Sequence, residues 1–217
     1  MTSIARICEQ LIEKKPFLQE ALSNEIINYG ALADSMICDV EKEFGKKVKH
    51  AAVMMALRRL QEKLQKMPIS HPKFTSDCDL TLRSDLFEIS IVRYPQTYKL
   101  INKFYDLVDS SDYLTITSGT HEITIIASKR YKSLILKLLV KDDILKEIND
   151  LAALTVKLPK NAIEMPGIFY LISRALTWEN ITIVEVVSTY TENTLILKNK
   201  DVSRAYEILQ KTIKENK

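Results

Sequence analysis

The sequence predicts an α+β protein in which an all-helical segment is followed by two copies of one β-α-β-β-α unit. Two observations lead to this prediction. Apolar residues recur at helical spacing through the first part of the chain, and after residue 80 the same order of strand and helix patterns occurs twice, with a period of about 65 to 70 residues. A chain of 217 residues is long enough for two or three small domains with separate cores.

The N-terminal segment is predicted to be entirely helical. Apolar residues at helical spacing run from Ile4 to Leu18, and Pro16 marks either a break or the start of a new helix. Asn28 is a favourable cap for a second helix, which Gly45 ends. A third helix is predicted from about Lys49 to Met67.

A polar segment separates this helical part from the repeats. The stretch "PISHPKFTSDCD", residues 68–79, holds two prolines and no hydrophobic periodicity. The predicted organisation is therefore a helical domain at 1–70, a linker at 71–80, a first repeat at 81–150 and a second repeat at 151–217.

Each repeat is assigned from alternating strand patterns and amphipathic helix patterns. The first comprises a strand at 86–92, a helix at 95–109, strands at 113–117 and 122–128 joined by a tight turn at Gly119, and a helix at 130–148. The second comprises a strand at 151–159, a helix at 167–178, strands at 181–189 and 194–200, and a helix at 201–216. Each repeat is expected to lay two helices over a four-stranded antiparallel surface. Whether the strand near 151–158 completes the first surface or opens the second is left open.

Composition excludes several kinds of chemistry. The four glycines are more than ten residues apart, so neither a dinucleotide-binding GxGxxG motif nor a phosphate-binding P-loop can exist. The three histidines lie in separate segments. The only dense group of potential ligands is Asp77-Cys78-Asp79, which is predicted to be part of a polar linker. The sequence contains no nucleophile elbow and no HExxH motif. We expect no metal, no cofactor and no catalytic activity.

The chain carries no apolar stretch long enough to cross a membrane, and its N-terminus reads as an amphipathic helix and not as a signal sequence. Three cysteines, far apart and odd in number, indicate free thiols in a reducing compartment. A cytoplasmic protein without a membrane partner is therefore expected.

The second repeat resembles the ACT-domain group, small ferredoxin-like modules that bind amino acids and other small effectors. The resemblance is carried by "AALTVKLP", the acid-x-Pro-Gly signature at 164–167, the helix "IFYLISRALTWEN" and the strand "ITIVEVVST". The first repeat resembles the corresponding module of aspartokinase regulatory regions at "ITSGTHEITII", residues 116–126. The resemblance implies two βαββαβ ACT modules. Family members usually carry Asp at Glu164, Gly at Asn180 and often Asn at Thr182, and the first repeat lacks the Pro-Gly entry.

The Pro-Gly junction predicts an anion site, because a glycine permits a tight turn and the first helical turn has unpaired N–H groups. The site residues that the resemblance implies are Lys157, Pro159, Asn161, Glu164, Met165, Pro166, Gly167, Asn180, Ile181 and Thr182. Amides near Gly167 would hold an amino-acid carboxylate, Glu164 or a carbonyl would take the ammonium group, and Thr182 would offer a hydroxyl. In the family such sites lie between modules whose sheets pair side by side, which implies a homodimer. The alternative is that Pro166-Gly167 only shapes the junction and no ligand binds.

The helical segment resembles a helix-turn-helix or winged-helix domain, with "YGALADSM" supporting a recognition helix at 51–64. Between Lys46 and Lys66 there are seven Lys or Arg against the single acid Glu62. The predicted nucleic-acid contacts are Lys46, Lys47, Lys49, Met54, Arg58 and Arg59. The two methionines that are predicted to face outward, Met54 and Met55, suit a protein partner or contact with thymine methyl groups and not simple phosphate binding. The second helix is also longer than the compact motif usually allows.

The favoured hypothesis is a ligand-responsive transcriptional regulator with a DNA-binding head and an amino-acid-sensing body. The alternative is an allosteric regulatory subunit whose head docks on a biosynthetic enzyme through Met54 and Met55. An enzyme in its own right would need a catalytic constellation that the sequence lacks, and the kinase portion of an aspartokinase is absent.

Overall fold

The structure is a computed structural model that describes residues 3–66, 73–75 and 77–216. The chain divides into two compact units, residues 1–70 and 71–217. The predicted end of the third helix at Met67 lies outside the described residues, as does part of the predicted linker. The finer boundaries proposed above stay predictions.

The N-terminal unit contains four helices in its described part. They are α1 (Ile4–Glu13), α2 (Pro16–Ser23), α3 (Tyr29–Phe44) and α4 (His50–Lys66). Pro16 occupies the first turn of α2, so it starts a new helix, as one of the two alternatives predicted. Asn28 caps α3 by accepting a hydrogen bond from the Ala31 amide, and Gly45 ends α3 with a φ of 79°.

One apolar core holds the four helices together. Its fully or nearly fully buried members are Ile7, Cys8, Ile12, Leu22, Leu32, Ala33, Met36, Val40, Val53, Ala56, Leu57 and Leu60. Burial raises the pKa of the Cys8 thiol to about 11. Residues 3–66 contain no strand that could serve as a wing, so the winged-helix prediction is not confirmed.

The second unit is built on one antiparallel sheet of six strands, in the order β2-β3-β1-β4-β6-β5. The strands are β1 (Leu80–Val92), β2 (Leu114–Ser118), β3 (Glu122–Ser128), β4 (Ile144–Lys157), β5 (Ile183–Ser188) and β6 (Glu192–Lys198). The helices are α5 (Thr97–Leu107), α6 (Lys132–Leu138), α7 (Ile168–Trp178) and α8 (Val202–Glu215). The α+β class and the repeated strand and helix order are confirmed.

Two long strands join the repeats. The second half of β1, residues 86–92, pairs with β3 and with the start of β4, whereas residues 80–83 pair with residues 153–156 of β4. The sequence left open whether the strand near 151–158 belongs to the first or to the second surface. In the structure it belongs to both, because β4 completes the first surface and opens the second. Each repeat lays its helices on four strands, but the two central strands are shared.

Two predicted elements were wrong in extent. The helix predicted at 130–148 ends at Leu138, and from Ile144 the chain is a strand that pairs with β1. Ile144 and Ile148 have helical spacing, but the free edge of β1 offers backbone partners that decide the outcome. The strand predicted at 86–92 begins at Leu80 for the same reason, because β4 continues beside it.

The sheet has a core on each face. On the outer face, α5 and α6 cover the first outer core, which includes Phe87, Ile89 and Ile125. On the same face, α7 and α8 cover the second outer core, which includes Leu154 and Leu195. On the opposite face, a third core consists of Leu86, Ile126, Leu151, Ala153 and Ile196, with Tyr113, Val184 and Val187 packed against it. Because residues at both ends of the sheet contact this core, the sheet is curled so that its two halves face each other. We call this buried surface the inner face.

The duplication is visible in equivalent residues of β1 and β4. Asp85 and Asp150, which are 65 positions apart (150 minus 85), both have a positive φ, 56° and 60°. Each directly precedes a buried leucine of the inner face, Leu86 or Leu151.

Hydroxyl pairs repeat in the same way. The Ser90 and Thr124 hydroxyl oxygens are 3.3 Å apart, and those of the corresponding Thr155 and Thr194 are 2.8 Å apart. The two repeats are thus related residue by residue.

Candidate functional site

The predicted effector loop begins where β4 ends. Lys157 is the last residue of β4, and the Leu158 amide then donates to the Thr191 carbonyl at 2.7 Å, which fixes the loop to the β5–β6 turn. Leu158 and Ala162 are buried in the second outer core. The loop is therefore held to the body of the repeat at its start and middle.

Most of the predicted loop residues are available to a ligand. Asn161, Glu164, Pro166 and Gly167 are exposed, Met165 is half-buried and Pro159 is buried. The exposed Lys157 ammonium lies 3.9 Å from the Asp77 carboxylate, a surface pairing that contributes little to stability.

Gly167 has a structural reason to be glycine. Its φ is 91°, and a Cβ there would meet no atom within 4 Å, so the left-handed backbone and not the available space requires glycine. It caps α7 without any side-chain hydrogen bond, and the Leu171 amide donates to its carbonyl. By helix geometry the Phe169 and Tyr170 amides have no acceptor within α7, which makes this helix end suitable for a carboxylate.

The remaining predicted residues lie at the other end of α7. Asn180 has a φ of 54°, and the Ile181 amide donates to the Leu176 carbonyl, so these residues cap the C-terminus of the helix. Ile181 is buried in the second outer core, whereas Thr182 is exposed. The 11 residues of α7 span about 16 Å. Within one chain the structure brings the loop residues together but places Asn180, Ile181 and Thr182 too far away to share a small ligand with them.

Sequence reasoning missed three residues beside the loop. Ser188 and Asn193 face each other on β5 and β6, and Thr191 lies in the turn between these strands. Asn193 is 1% exposed, and its Oδ1 has no hydrogen-bond partner. The position corresponding to Asn193 in the first repeat is the buried Ile123. Comparing the two repeats residue by residue would have singled out this asparagine.

The predicted basic surface of the helical unit is only partly free. Lys46, Lys47 and Lys49 are exposed in the loop between α3 and α4. The Lys47 ammonium lies 3.0 Å from the Glu41 carboxylate, and that of Lys46 lies 5.8 Å from the centre of the Phe44 ring. These contacts are at the surface and leave the charges accessible to solvent.

On α4, Arg58 and Arg59 point in different directions. The Arg58 guanidinium lies 5.7 Å from the centre of the Tyr29 ring on α3. Arg59 instead lines a groove beside α1, together with Glu9 and Lys63. The two arginines therefore do not form one continuous basic stripe.

The Tyr29 ring that Arg58 contacts is held in place by hydrogen bonds. The Tyr29 hydroxyl donates to Gln61 Oε1 at 2.7 Å, and Gln61 Nε2 donates to a Glu25 carboxylate oxygen at 2.8 Å. This partly buried network fixes Tyr29 and with it the aromatic surface below Arg58.

The prediction that Met54 points outward was wrong. Met54 is half-buried and packs against the core of the helical unit, whereas Met55 is 50% exposed. The apolar face of α4 is wider than the spacing predicted, because α1, α2 and α3 all contact this helix.

Within the described residues, no group of three or more His, Cys, Asp or Glu side chains is arranged to hold a metal ion. Among the same residues, no helix combines the length and apolar character needed to cross a bilayer.

The architecture defines a class of protein: two ferredoxin-like α+β repeats on one curled antiparallel sheet, preceded by a helical unit. No protein-family model matches the sequence, and no curated protein matches it. Similarity appears only at the level of three-dimensional structure.

Several solved structures with a similar fold come from aspartate kinases. The ligand-free regulatory subunit of aspartate kinase from Thermus thermophilus matches with a TM-score of 0.51 and 14% identity, over 61% of this chain and 95% of that chain. A structure of aspartokinase alpha and beta subunits matches with a TM-score of 0.52 and 14% identity, over 65% and 99%. Aspartate kinase from Clostridium acetobutylicum matches with a TM-score of 0.53 and 14% identity, over 67% of this chain but only 36% of that enzyme.

At this identity the similarity shows the fold alone. It supports, at that level, the resemblance to aspartokinase regulatory ACT modules that the sequence predicts.

Proposed function

We propose that the protein is a ligand-responsive regulatory protein whose sheet unit binds an amino-acid effector and whose helical unit passes the response to DNA. The observation that carries the sensing role is the Gly167 junction. A helix start without a side-chain cap is exposed three residues after the Glu164 carboxylate, on a fold similar to an aspartate kinase regulatory subunit.

The loop offers complementary charge for both ends of an amino acid. The Phe169 and Tyr170 amides suit an α-carboxylate, because unpaired N–H groups and the helix dipole favour a negative charge there. Glu164, exposed three residues before Gly167, suits the ammonium group. The same loop without a ligand would only shape the junction between β4 and α7.

A homodimer would bring the distant Thr182 to the same ligand. β5 is a free edge strand of the six-stranded sheet, and Val186 on it is 52% exposed. If two copies pair antiparallel along β5, the start of one strand lies beside the end of the other. The partner's Thr182 then approaches Ser188 of the first chain, at the end of the sheet that carries the effector loop.

A thermal-shift screen of the full chain against the twenty amino acids tests this proposal. A ligand that binds only the folded protein raises the melting temperature once its concentration exceeds the dissociation constant. At 100 times that constant, the ligand adds about 2.7 kcal/mol to the free energy of unfolding. Glu164→Gln and Thr182→Val should each reduce the shift, because each removes one proposed ligand contact from an exposed side chain.

Glu207→Gln on α8 is the matched control, because Glu207 is also exposed on the sheet unit but lies outside the loop. It should keep the full shift. The sensing role would have to be given up if no amino acid raised the melting temperature, or if both site variants kept the full response.

For the helical unit we propose DNA binding through the α3–α4 loop and the exposed side of α4. Lys46, Lys47 and Lys49 lie directly before the N-terminus of α4, and Arg58 follows further along the same helix. Lysines at this position can contact phosphates while α4 lies in the major groove.

Binding of the full chain to a pool of duplex DNA, measured at several salt concentrations, tests this role. Affinity should fall steeply with salt, because phosphate contacts release counterions. The double change Arg58→Glu with Arg59→Glu should abolish retention. The same charge change on the sheet unit, Lys129→Glu with Lys200→Glu, should not. Wild-type protein that fails to retain DNA even at low salt would exclude this function.

A second candidate is a regulatory subunit that docks on an amino-acid-biosynthetic enzyme. The exposed Met55 favours it, because a flexible apolar side chain on a free helix surface suits a protein partner. With Met54 half-buried, Met55→Asp is the informative change: it should disrupt docking on a co-purifying enzyme while leaving any DNA retention in place.

A further inference from the structure

The inner face of the curled sheet contains a buried carboxylate. Glu88 on β1 is 5% exposed, and its Oε2 has no hydrogen-bond partner in the structure. Its neighbours across the strands are the apolar Ile126 on β3 and Ile148 on β4. One oxygen of this carboxylate has therefore lost water without gaining a partner, which opposes the charged form.

Charged side chains from four other strands act on Glu88. Glu122 on β3 and Glu185 on β5 oppose its ionisation, whereas Lys146 on β4 and Lys198 on β6 favour it. The Lys198 ammonium donates to the Asn149 carbonyl, and no ion pair joins Glu88 to a lysine within the described part of the sheet unit.

The balance of these influences favours the protonated form. Burial is the largest cause, followed by the charge of Glu185, and together they raise the pKa of Glu88 to about 7. Burial, and then the charge of Glu122, also raises the pKa of Glu185.

The fold does not need a carboxylate at this position. In the second repeat the residue that corresponds to Glu88 is Ala153, which is 1% exposed on the same inner face. The acidic side chains are not arranged as a metal site either, because no three of them in the described chain meet the geometry for one. Glu88 is therefore a departure from the symmetry of the repeats that costs stability when charged.

We propose that the protonation state of Glu88 controls how tightly the two halves of the sheet close on each other, because Glu88 lies on the inner face beside Ile126, a member of the core that joins the halves. When Glu88 takes up a proton from solvent, its carboxyl group becomes neutral and the cost of burying it falls. When the proton returns to solvent, a buried negative charge without a lysine partner among the described residues remains on the inner face, and the charge of Glu185 on β5 opposes it. The half formed by β5 and β6 then loosens from the half formed by β1 and β3.

The direction of the pH dependence follows from linkage. The pKa of Glu88 is higher in the folded chain than its ordinary value, so the folded state binds more protons between those two values. Stability must therefore fall as pH rises from about 4.5 to about 7, and this contribution is constant above that range.

Hydrogen exchange of the full chain between pH 5 and pH 8, corrected for the intrinsic exchange rate, tests the proposal together with thermal unfolding. In the wild type, amides of β5 and β6 should lose at least tenfold protection over this range, and the melting temperature of the sheet unit should fall by about 5 °C. Glu88→Gln should show neither change and should melt above the wild type at pH 8.

Two further variants separate the effect of the Glu185 charge from the effect of burying Glu88. Glu185→Gln should keep the pH dependence but shift its midpoint to lower pH, because it removes the neighbouring charge. Glu192→Gln, an exposed change on β6, should follow the wild-type curve. If Glu88→Gln does not fold, Glu88→Ala replaces it, since alanine occupies the corresponding position of the other repeat.

A wild-type protein with no change in protection between pH 5 and pH 8 would overturn the proposal. So would Glu88→Gln with the wild-type slope, or Glu185→Gln with an unmoved midpoint. None of these measurements requires an effector or DNA, so their outcome is independent of the proposed function.

Discussion

Asp85 and Asp150 hold a backbone conformation that L-residues rarely adopt, and they hold it at equivalent points of two long strands. Both side chains are exposed, and both residues lie where the pairing of β1 with β4 is irregular. A residue with positive φ inside a strand acts as a bulge that increases the local twist. The pair therefore marks the place where each long strand passes from one repeat to the other.

Asp150→Val should destabilise the sheet unit by about 1–2 kcal/mol, because a β-branched side chain clashes with the following carbonyl at positive φ. Asp85→Val should have the same effect at the equivalent position. The midpoint of urea unfolding, followed by a probe in the sheet unit, measures this loss.

The control at the same position is Asp150→Gly, which removes the clash but increases the freedom of the unfolded chain. Its stability should stay within about 1 kcal/mol of the wild type. Equal stabilities for the valine and glycine variants would show that the left-handed bulge is not maintained in solution.

At this scale the sequence predicts what depends on one residue and its neighbours. The end of α3 at Gly45 and the cap provided by Asn28 follow from local chemistry, and both were correctly predicted. Asn180 was assigned to a ligand site by resemblance, yet its positive φ and the Ile181 hydrogen bond make it a helix cap. Glu88 and Asn193 were missed, because only an alignment of the two repeats shows that the corresponding residues, Ala153 and Ile123, are apolar.

Among elements, α3 was predicted at both ends, because Asn28 and Gly45 are clear terminal signals, and α4 begins one residue after its predicted start at Lys49. The chain from Lys132 to Lys157 was not predicted correctly. Its apolar residues fit a continuous helix as well as a helix followed by a strand, and the choice depends on β1 as a pairing partner. Periodicity alone could not resolve these alternatives.

The predicted effector loop also follows from the sequence only in part. Its position after β4 and the turn at Gly167 follow from the sequence, whereas the separation of Thr182 from that loop depends on the direction in which α7 runs. In the proposed dimer the two groups meet again across β5. The division of the proposed site between two protomers would therefore follow from the length of α7.

For the whole molecule, the shared strands make the two repeats one structural unit. β1 and β4 each contribute to both outer cores and to the inner face, so neither repeat can open without breaking backbone pairs of the other. Two independent sandwiches, the simplest reading of the duplication, would instead unfold separately. Nothing in the local sequence of either repeat distinguishes these architectures, because the joining contacts are long-range.

This organisation predicts cooperative unfolding of the sheet unit. Leu171 on α7 is 1% exposed and packs only in the second outer core, so Leu171→Ala should cost about 2–5 kcal/mol. Native-state hydrogen exchange should show the slowest amides of β3, in the first repeat, losing as much protection as those of β6 in the second. Leu134→Ala on α6, where the side chain is 42% exposed, is the control and should leave both sets nearly unchanged. If β3 kept its protection while β6 lost it, the repeats would unfold independently. A signal at the predicted effector loop would then have no direct route through β1 and β4 to the first repeat.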